Sequence, residues 1–174
     1  MYAKLGIVLG DYLVQKLGQE LRDQGHSLTG DLIASLEYRV RESATGVTVE
    51  FLANQYGEYL NTGVSASRIP YTPRGPRRGG TSQYIQALIR YVERRMGLRG
   101  KEATGVAFAI ARAHKREGMP TRASYRFSKN NRRTGWVDVV LKQEENKIQE
   151  TVTEFVGREL EALFVNFIAQ RQAA

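Results

Sequence analysis

Three observations predict an α+β fold: a small antiparallel sheet flanked by an N-terminal helix, a central helical pair and a long C-terminal helix, with an extended basic arm. Apolar residues recur at helical spacing in four long stretches, three short stretches alternate at strand spacing, and one Pro/Arg-rich stretch does neither. With 174 residues, 41% of them hydrophobic and 25% charged, the chain can bury one real core. A single domain over residues 1–174 is the expectation.

Leu5, Leu9, Tyr12, Leu13, Leu17 and Leu21 fall three and four residues apart, which predicts an amphipathic helix. Gly6, Gly10 and Gly18 lower its intrinsic propensity, so packing must hold it, and Gly25 is placed to cap its end. Leu36, Tyr38 and Val40 then alternate with charged residues, as Val47, Val49 and Phe51 alternate with Thr48, Glu50 and Leu52. These read as two strands of a hairpin turning at Ser43 to Gly46. Residues 55–63 read as a short helix ending at Gly63, with Tyr56, Tyr59 and Leu60 on one face.

Residues 64–80 carry three of the four prolines and four arginines, Arg68, Arg74, Arg77 and Arg78, with no acid. Such a segment cannot bury itself and predicts a projecting arm that a partner would order. Ile85, Leu88, Ile89, Val92 and Met96 predict a helix closed by Gly97 and Gly100. Ala103, Val106, Ala107, Ile110 and Ala113 give the next helix a face of small residues that lets the two pack closely as a hairpin. Residues 116–135 read as a second basic loop, with Arg122, Arg126, Lys129, Arg132 and Arg133. Trp136 to Leu141 alternates enough to suggest one more strand. Ile148, Val152, Phe155, Val156, Leu160, Leu163, Phe164, Phe167 and Ile168 then form a long helical stripe, expected to be buried.

Charge is segregated along the chain. Residues 1–63 hold 5 Lys and Arg against 8 Asp and Glu, residues 64–133 hold 17 against 3, and residues 134–174 hold 4 against 7, for a net +8. A block of one sign between two mildly acidic ones implies a polyanionic or acidic partner. The basic loops interleave with Tyr71, Tyr125 and Phe127, which can stack on bases or anchor the loops to protein.

The inventory for catalysis is thin. There is no cysteine, which removes disulfides, thiolate nucleophiles and Cys metal sites and suggests a cytosolic setting. His26 and His114 are far apart and lack zinc-motif spacing, so they are expected at the surface, with no metal and no cofactor. The Gly75-to-Gly80 run lacks the Lys-Ser/Thr ending of a phosphate loop. Glu144 and Glu145 are adjacent and fit the acidic first turn of the last helix better than a catalytic pair. The N-terminal stretch has no long apolar run, so neither a signal peptide nor a membrane span is expected. A protein that is not an enzyme follows as the expectation.

At residues 28–63 the order of features resembles the gene-product-ten-like neck, or tail-completion, proteins of tailed bacteriophages. Leu28, Thr29, Gly30, Leu32 and Ser35 stand where that family has a Thr-Gly-x-Leu-x-x-Ser-type segment; a hairpin follows, and Tyr56, Tyr59 and Gly63 match its Tyr-x-x-Tyr/Phe-x-x-x-Gly element. The match covers about a third of the chain directly, and the Arg/Pro arm and helical pair depart from the family pattern. The resemblance implies a virion protein assembled in the host cytoplasm into a homo-oligomeric ring, sixfold or twelvefold. Its partners would be portal, adaptor or tail proteins, and genome DNA would pass through the bore with nonspecific contact. The alternative is a free, sequence-independent nucleic-acid-binding protein.

Overall fold

In a computed structural model, residues 2–72 and 82–172 are described, and they build an α+β chain of six α-helices, two 3₁₀ turns and one hairpin. The chain divides into two compact units rather than one. The first comprises residues 1–21, 31–54 and 136–174, and the second 22–30 and 55–135. By sequence the first carries 8 basic against 13 acidic residues (−5) and the second 18 against 5 (+13).

In the first unit, helix α1 (Ala3–Asp23, its last two residues belonging to the second unit) buries Leu5, Leu9, Leu13, Leu17 and Leu21. The glycines that weaken α1 as an isolated helix are its contact points with the sheet. A Cβ on Gly6 would lie 2.5 Å from Val40 Cγ1 and 2.8 Å from Val47 Cγ2, and one on Gly10 would enter the Tyr38 ring. Strands β1 (Glu37–Ser43) and β2 (Gly46–Leu52) pair antiparallel, with Tyr38 opposite Phe51 and Val40 opposite Val49, preceded by a single-turn helix α2 (Asp31–Ala34) that buries Leu32. Tyr38 Oη donates to Asp11 Oδ1 at 2.8 Å, which ties β1 to α1.

Trp136–Leu141, expected as a strand, instead begins the 37-residue helix α6 (Trp136–Gln172). Its buried residues are Trp136, Val139 and Val140, at i, i+3 and i+4, a helical face that outweighs the β-propensity of the valines. Glu144 therefore lies in the third turn of α6. It accepts from Tyr12 Oη and pairs with Lys16 Nζ at 2.8 Å, clamping α6 to α1.

The distal half of α6 departs further from expectation. Leu160 is 50% exposed, Leu163 58%, Phe164 65%, Phe167 55% and Ile168 54%, so the clearest apolar stripe in the sequence is uncovered within this chain. No described helix is long and apolar enough to cross a membrane.

In the second unit, α4 (Gln83–Met96) starts at a Ser82 cap whose hydroxyl accepts from Ile85 N at 3.3 Å, and ends at Gly97 in the left-handed region. It packs against α5 (Gly100–Glu117) through Val92, Ala103 and Ala107, surrounded by Leu88, Ile89, Val106 and Ile110, as the small-residue face predicts. Residues 22–26 are stitched to the stretch before Trp136. Lys129 N donates to Asp23 O (2.7 Å), Arg133 Nη1 to Gln24 O (2.5 Å) and Gln24 Nε2 to Thr134 O (3.2 Å).

The described part of the expected arm is held down. Val64 exchanges backbone hydrogen bonds with Met119 (2.7 and 2.8 Å), Ala66–Arg68 form a 3₁₀ turn, Ile69 is buried, and Lys115 Nζ donates to Ile69 O at 3.2 Å. Ile69 supplies the anchor that the count of prolines and arginines conceals. The rest of that expectation, residues 73–80 with Arg74, Arg77 and Arg78, lies outside the described residues.

Candidate functional site

Within the second unit, segments far apart in sequence enclose a cavity of about 440 Å³. Short helix α3 (Tyr56–Thr62) contributes Tyr56 and Tyr59, α4 contributes Tyr84, Leu88 and Tyr91, α5 contributes His114, and the 3₁₀ turn Arg122–Phe127 contributes Arg126 and Phe127. His26, Met96 and Arg133 also line it. Gly63 sets the exit of α3. Its φ of 74° is left-handed, its N–H bonds Tyr59 O at 2.9 Å, and a Cβ there would press on Met119 O at 2.7 Å.

The cavity is aromatic and cationic, and among the described residues no carboxylate lines it. Arg133 is partly buried, its Nε has no hydrogen-bond partner among the described residues, and burial holds its pKa below the ordinary value. The guanidinium of Arg126 lies 4.8 Å from the Phe127 ring centroid and that of Arg95 5.3 Å from it, a cation–π arrangement that brings two positive charges to one wall aromatic. Such a wall suits an apolar body that brings a negative charge or hydrogen-bond acceptor with it.

Both histidines, expected at the surface, line this cavity and are partly buried. Burial first, and then the charge of Arg133, lowers His26 to about 4, so it is neutral at physiological pH; its Nε2–H donates to Arg133 O at 3.1 Å. Burial also lowers the pKa of His114. Sequence spacing could not reveal this convergence, since the two imidazoles belong to different segments. The available signal was Tyr84, Leu88 and Tyr91 at i, i+4 and i+7 on α4, an aromatic edge of the face that packs on α5.

Of the predicted basic positions, Arg126 and Arg133 line the cavity and differ in setting, since Arg126 is exposed and Arg133 turns inward. Arg68, Arg122, Lys129 and Arg132 are exposed, with Lys129 Nζ 3.7 Å from Asp23 Oδ1. Of the motif residues, Tyr56, Tyr59 and Gly63 shape the cavity. Thr29 and Gly30 precede α2, which contains Leu32, and none of the three lines it.

No group of three or more His, Cys, Asp or Glu side chains among the described residues is arranged to hold a metal ion. No protein-family model, curated protein or solved structure matches this chain.

Proposed function

We propose that this chain is a structural subunit of a tailed-phage head–tail connector, a neck or tail-completion protein that assembles with copies of itself into a ring through which genome DNA passes. The observation that carries the reading is the uncovered stripe of α6. A stripe of five large apolar side chains, each half exposed or more, is costly to leave in water and marks a surface awaiting another chain. A ring subunit needs such surfaces, because each copy meets its neighbours through two different faces. The order of motifs at residues 28–63 supports the same family, and the +13 second unit supplies the field a passing duplex or an acidic neighbour would meet.

Exposed Arg122, Arg126, Lys129 and Arg132 favour a second reading, a free nucleic-acid-binding protein that gains affinity from phosphates alone. Native mass spectrometry of the purified chain with and without duplex DNA separates the two. Closed oligomers of six or twelve copies without DNA are expected for the connector. A monomer or dimer that assembles only on DNA would replace it with the second reading.

A further inference from the structure

The second unit's cavity is aromatic and cationic, while the stripe on α6 is apolar, uncovered in the single chain, edged by acids and carries a cation, Arg171, 5.2 Å from the Phe167 ring centroid. At 3.6 residues per turn each neighbouring residue lies about 100° around the helix, so Glu159 and Glu161 flank Leu160 on either side of the stripe. Among the described residues the cavity wall holds Arg126 and Arg133 and no acid. The two units repeat this opposition on a larger scale, at −5 and +13.

Resting on the ring reading, we infer that the distal α6 stripe of one copy docks at the second-unit cavity of the next, with Phe164 as the inserted side chain. Phe164 is the most exposed aromatic residue of the stripe, and Leu160 and Ile168 lie one turn to either side of it. The rings of Tyr56, Tyr59 and Phe127 offer it aromatic partners, and Tyr56 is itself 60% exposed at that wall. A desolvated aromatic anchor in a pocket is a usual core of an interface hot spot, and charge complementarity around it favours the right partner. The contact is heterologous, because it joins one patch to a different one, and such a contact closes a ring where the rotation between neighbours divides a full turn.

The chain has no cysteine, so introduced thiols report contacts without background. F164C and Y56C chains, both altered at exposed positions, would be purified separately, checked for unchanged circular dichroism, mixed and treated with a short bismaleimide. A covalent dimer formed in the mixture and absent from either variant alone is the expected result, with L160C and M96C as a second pair. Oligomers that assemble normally but give no mixed product for either pair would overturn the docking and leave the ring reading standing. A strong product from F164C alone would overturn it in favour of α6 pairing with α6. Chains that stay monomeric by native mass spectrometry and give no product would overturn both.

Discussion

Tyr84 Oη lies 2.7 Å from Nδ1 of His114, and the direction of that hydrogen bond follows from the two groups' acidities. Burial pushes the Tyr84 phenol up to about 12 and lowers the His114 imidazole. At neutral pH the phenol therefore donates and the neutral imidazole accepts. The bond joins α4 to α5 beside the cavity, and protonation of His114 at Nδ1 removes its acceptor.

The acid side of the stability profile should carry a histidine signature. His26 titrates at about 4 in the fold and at 6.5 unperturbed. Above pH 6.5 both states are neutral and no linkage exists. As pH falls from 6.5 towards 4 the unfolded chain binds a proton that the fold resists, so stability is lost across that window, by up to about 3 kcal/mol for His26. His114 acts in the same direction. Urea melts at pH 7 and pH 5 should show a smaller loss for H26Q than for the parent chain. Equal losses would mean that the His26 imidazole is not held neutral.

The first helix, the hairpin with its turn, and the α4–α5 pair were legible in sequence because each is fixed by local periodicity and by its glycines. Trp136–Leu141 was misread because a short stretch with five apolar residues around Asp138 satisfies both periods, and only the buried i, i+3, i+4 set distinguishes them. The cavity was illegible for another reason. His26, Tyr56, His114 and Arg133 meet through tertiary closure, which leaves no spacing to read. The stripe on α6 was read correctly as apolar, but periodicity says nothing about whether its cover comes from the same chain.

Two glycine-to-alanine changes in helices should have opposite signs. In an α-helix the substitution alone gains about 0.5–1 kcal/mol. At Gly105, in α5, an added Cβ meets nothing within 4 Å, so G105A should realise that gain. At Gly10 the Cβ enters the Tyr38 ring, and overpacking of about 1–3 kcal/mol should reverse the sign. Stabilisation by G10A would mean that α1 does not rest on the hairpin there.

Glu144 should matter where the neighbouring ion pair of α6 does not. Lys16, and then Tyr12, hold its carboxyl below the ordinary value, so its contribution is present at neutral pH and fades as pH falls below 4.5. Lys16 is 40% exposed, which discounts the ion pair, but the hydrogen bond from Tyr12 to the charged carboxylate remains. E144A should cost about 1–2 kcal/mol in a urea titration. K147A, which breaks the exposed Lys147–Glu150 pair, should leave the midpoint unchanged. Similar midpoints for both variants would remove the α1–α6 clamp.

The distal half of α6 gives a test in which folding and assembly separate. Leu21 is fully buried, so L21A should cost the subunit about 2–5 kcal/mol through a cavity. Phe164 is 65% exposed in the same chain, and substitutions at such positions fall within about 0.5 kcal/mol. F164D should therefore melt with the parent chain under conditions where both are monomeric, since nothing within the subunit is lost and the carboxylate stays in water. In the assembly the same change buries an unpaired charge at an apolar contact, which is strongly disfavoured. Size-exclusion chromatography with light scattering should find F164D monomeric at concentrations where the parent chain is oligomeric. If F164D instead unfolds as readily as L21A, the stripe is covered within its own chain and the argument for a ring loses its support. If F164D melts normally and still assembles, the oligomer is built on other surfaces, and the basic second unit becomes the place to look for them.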